Sequence, residues 1–134
     1  IPCFTEYTNF KKINLRNLNQ NAIEASEQSE RLDVPNIEKE VDLKSLLQNW
    51  PKDRKLIYCD EKNTDKKSII ETITPVKNSA NKWSVLIGPE GGFSETEQDL
   101  ILKNNNVVSV SLGNTVLRSD TAITVALFCI KQIT

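Results

Sequence analysis

The chain has 134 residues, about the length of one domain and enough to bury a core without disulfide or metal staples. Its 17 basic and 18 acidic residues leave a net charge of −1, which excludes a protein that coats nucleic acid through a bulk positive field, and 38% apolar residues exclude a disordered acidic tail. Histidine is absent, so Ser-His-Asp and Cys-His catalytic sites, histidine-containing zinc sites and histidine pH switches are excluded together.

In chain order, residues 1–5 read as a short extended start. Leu15, Leu18, Ala22 and Ala25 recur near helical spacing and predict a helix over 15–30. Pro35 ends that region, because the residue before a proline avoids the helical well. Asp42 reads as the N-cap of a short helix through Leu43, Leu46 and Leu47, closed by Pro51. The run Lys55-Leu56-Ile57-Tyr58-Cys59 reads as a buried strand. Acids and bases alternate over 60–68, which reads as a solvated loop, and 68–73 reads as a short helix stopped by Pro75.

The mostly apolar run Trp83-Ser84-Val85-Leu86-Ile87, bounded by Gly88-Pro89, reads as a central parallel strand. Ser94-Glu95-Thr96-Glu97 has the capping-box pattern and starts a helix that continues through Leu102 to the Asn104-Asn105-Asn106 stop. Residues 107–112 read as a strand with Val108, Val110 and Leu112 on one face and Ser109 and Ser111 on the other. Ala122, Val125, Ala126, Cys129, Ile130 and Ile133 form one apolar stripe of a last helix opening at Ser119 or Asp120. Helices alternating with at least three strands imply an α/β domain with a mainly parallel sheet.

No apolar run approaches the ~18 residues of a membrane span, and no signal peptide is visible. Cys3, Cys59 and Cys129 form no metal-binding spacing; they read as small buried hydrophobes and suit a reducing cytoplasm. The chain begins at Ile1 and contains no methionine, so it is expected to be part of a longer polypeptide.

Glycine is the informative count. There are only 4, well under the ~7% average, and Gly88, Gly91, Gly92 and Gly113 all fall in the C-terminal third. Glycine serves where the backbone adopts positive φ or approaches a ligand closely. These glycines sit in two strand–loop–helix turns, 86–93 and 112–121. In open α/β sheets ligands lie beyond the carboxyl ends of strands, and the helix that follows offers unpaired N–H groups. Neither turn has the spacing of a P-loop or a dinucleotide fingerprint. Glu90 would repel a phosphate there, which favours an uncharged or cationic ligand.

The string Leu86-Ile87-Gly88-Pro89-Glu90-Gly91-Gly92-Phe93, followed by Leu112-Gly113 and Val116-Leu117-Arg118-Ser119-Asp120-Thr121-Ala122, resembles the RsmE family. These are bacterial 16S ribosomal RNA uridine-N3 methyltransferases of the SPOUT superfamily. The upstream segment Glu24-Ala25-Ser26-Glu27-Gln28-Ser29, with Arg31 and Val34-Pro35, agrees, and the resemblance covers nearly the whole chain. Three positions depart from the family pattern. Glu30 stands where glycine is usual, Thr115 stands where arginine is usual, and Ser119-Asp120 replaces a more usual Thr-Glu.

The resemblance implies a SPOUT-type domain over residues 1–134, with a parallel sheet flanked by helices and a C-terminal trefoil knot. By the family pattern it lacks a PUA-like RNA-binding barrel and the first strand and helix. The implied cofactor is S-adenosyl-L-methionine, bent between the two loops at Leu86, Ile87, Gly88, Pro89, Glu90, Gly91, Gly92, Leu112, Gly113, Val116 and Leu117. The implied partners are 16S rRNA in the small ribosomal subunit and a second copy of the chain in a homodimer, in the cytoplasm, with no membrane and no metal.

The implied reaction moves a methyl group from a sulfonium to N3 of a uridine. With no histidine, a base for the N3 proton is a carboxylate or water. Glu90 is the motif carboxylate, with a structural or sulfonium-facing role equally open. Arg118 is placed to stabilise negative charge on the uracil oxygens, with a phosphate contact or salt bridge as its alternative. Asp120 reads as a helix cap. The competing readings are a non-catalytic dimerisation and cofactor-binding module, and a small α/β nucleotide-binding domain.

Overall fold

The computed structural model describes residues 1–9, 12–60, 67–75 and 82–133. The element order is β1 (Cys3–Phe4), α1 (Leu15–Gln28), β2 (Val41–Asp42), α2 (Leu43–Gln48), β3 (Arg54–Cys59), α3 (Ile69–Ile73), β4 (Lys82–Leu86), α4 (Glu95–Lys103), β5 (Val107–Val110) and α5 (Ser119–Ile133).

Leu56, Ile57, Tyr58 and Cys59 are all buried. Side chains on a strand alternate between faces, so four buried residues in a row require cover on both sides. β3 accordingly lies in the middle of a three-stranded parallel sheet, order β4-β3-β5. On one face Leu56 and Tyr58 join Leu43 and Leu47 of α2, Ile101 of α4 and Phe93. On the other, Ile57 and Cys59 join Ile69 and Ile73 of α3 and Ala126 of α5. A separate parallel pair, β1 with β2, packs beside α2.

Two of the predicted caps, Asp42 and Ser94, form as read, whereas Asp120 lies inside the first turn of α5 and is not its cap. Asp42 accepts from the Ser45 N–H at 2.9 Å. Ser94 and Glu97 make the reciprocal capping box, and the Glu97 carboxylate, itself buried, also accepts from the Glu6 N–H at 2.8 Å. Ser68 and Glu71 make a second capping box that starts α3. The apolar stripe of α5 faces inward, with Ala122 and Ala126 buried and Cys129, Ile130 and Ile133 packed on the second core.

Three expectations are corrected. The strand ending at Leu86 is an edge of the three-stranded sheet among the described residues, and β3 is the central strand. An apolar run signals burial but not sheet position, and β4 is only half-buried over most of its length. β5 ends at Val110, after which Ser111 makes a single bridge to Ser68. The solvated loop read over 60–68 does not include its first residue, because Asp60 is half-buried at the end of β3; residues 61–66 lie outside the described residues.

Candidate active site

β3, β4 and β5 are parallel, so their carboxyl ends lie on one side of the sheet. The loop after β4 runs to α4 and the loop after β5 runs to α5. These loops are some 25 residues apart in sequence, yet the Ser119 hydroxyl donates to the Gly88 carbonyl at 3.2 Å. The two glycine-marked loops therefore meet over the end of β3.

Two hollows lie where they meet. One, of about 20 Å³, is walled by Ile87 from the first loop and by Leu112, Gly113, Thr115, Val116 and Leu117 from the second, with Cys59, Asp60 and Ala122 completing it. The other, of about 30 Å³, is walled by Gly88, Gly92 and Phe93 with Tyr58, Cys59, Asp60 and Gln98. Each has room for little more than a water. A nucleoside-sized ligand needs several hundred cubic ångströms, so it requires the second loop to stand further out. That loop is poorly tied down: no hydrogen bond forms from the backbone of Asn114, Thr115, Val116 or Leu117 among the described residues. Val116 presents its apolar side chain 71% exposed. A larger cavity, about 990 Å³, lies elsewhere, along β4 and the Trp50 side of the sheet, and touches neither loop beyond Leu86.

Of the residues singled out in the sequence, Ile87, Leu112, Gly113, Val116 and Leu117 come together on the first hollow, and Gly88 and Gly92 on the second. Leu86 is buried in the core beneath. Pro89 accepts from the Gly92 N–H at 2.8 Å, closing a turn whose outer residues, Glu90 and Gly91, are exposed and wall neither hollow. The Arg118 side chain is 83% exposed, with its Nε 3.9 Å from the Asp120 carboxylate. It too stands outside both hollows.

Two of the first loop's three glycines, Gly88 and Gly92, answer to the fold itself. A Cβ at Gly88 would sit 2.9 Å from the Phe93 ring. Gly92 has φ +70°, the left-handed region that side chains disfavour. Asp60 is the residue sequence reading missed. Among the described residues it is the one charged group walling either hollow, and it walls both. The available signal was its place immediately after a buried parallel strand, where ligand sites gather; the alternating charges that follow it masked that signal.

The architecture is that of a parallel α/β domain with a cleft built by two loops beyond the carboxyl ends of its strands. The family model for RNA methyltransferase domains matches residues 1–131, and the chain belongs to that family. It is similar to the ribosomal RNA small subunit methyltransferase E of Rickettsia conorii, 35% identical over 122 residues that make up 91% of this chain and 48% of that protein. It is 33% identical over 113 residues to the protein of the same name from Bacillus subtilis, covering 82% of this chain and 43% of that one. The chain thus spans about half the length of the curated relatives it matches.

Among solved structures, a Legionella pneumophila protein in complex with the bound cofactor SAM matches with a TM-score of 0.75 at 27% identity, over 98% of this chain and 53% of that one. The ribosomal RNA small subunit methyltransferase E of Neisseria gonorrhoeae, bound to S-adenosyl methionine, has a TM-score of 0.76 at 24% identity, over 98% and 52% of the two chains, and shows the shared fold. Among the described residues no cluster of acidic, cysteine or histidine side chains suits a metal ion, and no helix is long and apolar enough to cross a membrane.

Proposed function

We propose that this chain is the S-adenosylmethionine-binding domain of an enzyme that methylates N3 of a uridine in 16S rRNA of the small ribosomal subunit. One observation carries the reading: the two motif loops, distant in sequence, meet over the end of the central strand. The residues fit the cofactor's chemistry. Ile87, Leu112, Val116 and Leu117 offer apolar surface for an adenine, and the open backbone of 114–117 offers donors and acceptors. Leu86, Pro89, Glu90 and Gly91 complete the proposed binding segment around those walls.

When bound, the cofactor supplies an electrophilic methyl group on a sulfonium. The chain's own part is to hold the acceptor nitrogen in line and to exclude water. Arg118, exposed immediately before α5 and 3.9 Å from the Asp120 carboxylate, is the residue this reading assigns to offset the charge that builds on a substrate's oxygens as the N3 proton leaves. Glu90, exposed on the first loop, is the carboxylate this reading assigns to take that proton directly or through water.

The reading extends to a homodimer, supported by the exposed apolar side chains Ile123, Leu127 and Phe128 on α5. It also extends to the trefoil knot of the resembled family and to the cytoplasm. With a net charge of −1, the domain has little unspecific hold on RNA. Most RNA affinity in this reading therefore comes from a PUA-like region outside residues 1–134.

The test uses the full-length protein, labelled S-adenosylmethionine and small subunits from cells lacking the modification. N3-methyluridine in the digested RNA is the expected product. Calorimetry that finds no cofactor binding overturns the reading. Arg118→Ala is expected to keep cofactor affinity and lose methyl transfer; equal loss of both would make Arg118 a structural residue.

A further inference from the structure

We propose, resting on the rRNA methyltransferase reading, that Tyr7 is an aromatic platform on which an unpaired base of the RNA substrate stacks beside the first motif loop.

The N-terminal residues carry no motif, yet the fold fastens them to that loop. Residues 5–8 form a turn in which the Thr8 N–H donates to the Thr5 carbonyl at 3.1 Å and the Thr5 N–H donates to the Thr8 hydroxyl at 2.9 Å. The Glu6 N–H donates to one oxygen of the buried Glu97 carboxylate at 2.8 Å, and the other oxygen accepts from the Ser94 N–H at 3.0 Å. One side chain thus ties the turn to the point where the first loop enters α4. Tyr7 lies against the loop itself: a Cβ built on Gly91 would sit 3.4 Å from the Tyr7 Cβ.

Tyr7 is nevertheless 52% exposed. Among the described residues the other exposed aromatic is Phe128, on the face of α5 assigned above to a dimer contact, whereas Tyr58 and Phe93 are buried and Phe4, Trp50 and Trp83 half-buried. Cofactor and RNA reach the site from different directions in this reading. The cofactor lies between the loops, and the RNA meets the outer surface, where Glu90 and Gly91 are exposed. An aromatic residue on that surface suits a nucleobase, because every base has a π face and unpaired RNA is recognised largely by stacking on aromatic rings. With a net charge of −1 the domain has little phosphate-directed hold, so a contact independent of charge is the means left to it for placing the RNA. Tyr7 is then a positioning residue for the acceptor base and makes no contact with the methyl donor.

The experiment is steady-state methyl transfer by the full-length protein, with Tyr7→Leu and Tyr7→Phe, to small subunits from cells lacking the modification. Leu keeps apolar bulk against Gly91 and has no π face; Phe keeps the ring. Tyr7→Leu is expected to raise KM for the subunits about tenfold, with kcat and the calorimetric affinity for S-adenosylmethionine within about twofold of the unmodified protein, and Tyr7→Phe to bring KM back to within about twofold. An unchanged KM in Tyr7→Leu overturns the proposal. So does a Tyr7→Phe as impaired as Tyr7→Leu, which would assign the contact to the hydroxyl, and so does a parallel loss of cofactor affinity, which would make Tyr7 a support for the loop. In all three cases the methyltransferase reading stands. No methyl transfer by the unmodified protein overturns that reading and the role of Tyr7 with it. Should Tyr7→Leu not fold, Tyr7→Trp decides: a broader ring should leave KM within about twofold or lower it, and a rise of about tenfold overturns the proposal.

Discussion

The hydroxyl of Ser119 donates to the carbonyl of Gly88 at 3.2 Å, fastening the first turn of α5 to the loop that follows β4. This contact joins the two loops whose meeting defines the cleft, and Ser119 itself is half-buried. Replacing it with alanine leaves the Gly88 carbonyl without that donor. Ser119→Ala is expected to cost about 1 kcal/mol of stability. It should also weaken S-adenosylmethionine binding several-fold, because the loops lose their mutual register. Chemical denaturation and calorimetry on one preparation separate the two effects. Unchanged affinity beside a measurable stability loss would make the bond a structural tie with no bearing on the site.

Gly88 and Phe93 are matched in shape. The space a Cβ would need at Gly88 is taken by the Phe93 ring edge, 2.9 Å away. That ring cannot swing aside cheaply, since it is buried and packs edge-on to Tyr58 at 5.7 Å between centroids. Gly88→Ala is expected to destabilise the protein by about 1–3 kcal/mol through overpacking. In Phe93→Leu the ring is gone, so adding Gly88→Ala should cost much less there. A double-mutant cycle measures this directly, and simple additivity of the two changes would contradict the packing account.

Glu30 occupies the left-handed region, φ +54°, at the position where the resembled family usually has glycine. The geometry explains that usage. α1 ends in a Schellman arrangement, with the Glu30 N–H on the Glu27 carbonyl at 3.1 Å and the Arg31 N–H on the Ser26 carbonyl at 2.9 Å. A side chain there is strained by about 1–2 kcal/mol, partly offset by the greater unfolded-state entropy of glycine. Glu30→Gly should therefore stabilise the protein by about 0.5–1 kcal/mol, seen as a higher urea midpoint with an unchanged slope. A lower midpoint would mean that the Glu30 side chain contributes more than its backbone costs.

What the sequence disclosed follows the range of the interactions involved. Asp42 and Ser94 were legible as caps because a cap needs only residues within one helical turn. The Ala122–Ile133 stripe was legible because one face of one helix carries it. Strand order was not: the apolar runs of β3 and β4 look alike, and only pairing between distant segments puts β3 in the middle. The loops of the site were foreseeable from the carboxyl-end rule. Which side chains turn inward was not. Glu90 and Arg118 draw the eye in the motif yet are exposed and wall neither hollow, whereas Asp60 sits among charged neighbours in sequence and lines both hollows in space.

Cys3 provides a pH signature of the N-terminal packing. Burial, reinforced by the nearby Asp42 and Glu97 carboxylates, pushes its thiol up from 9.0 to about 11. The folded chain therefore keeps the thiol proton over a pH range in which the unfolded chain has released it. The native state binds more protons there, so stability falls as pH rises from about 9 toward about 11, and this contribution is fully present only below the unfolded value. Lysines and tyrosines titrate in the same range, so the informative quantity is the difference between the unmodified protein and Cys3→Ala. The two urea-denaturation stabilities should run parallel below pH 8.5 and converge or cross above it, with the unmodified protein losing stability faster. Alkylation offers an independent check: at pH 8 Cys3 should react with iodoacetamide far more slowly in the folded protein than in urea, because little of it is thiolate. Parallel stability curves up to pH 11, together with rapid alkylation of the folded chain, would show that Cys3 is not shielded by β2 and α2.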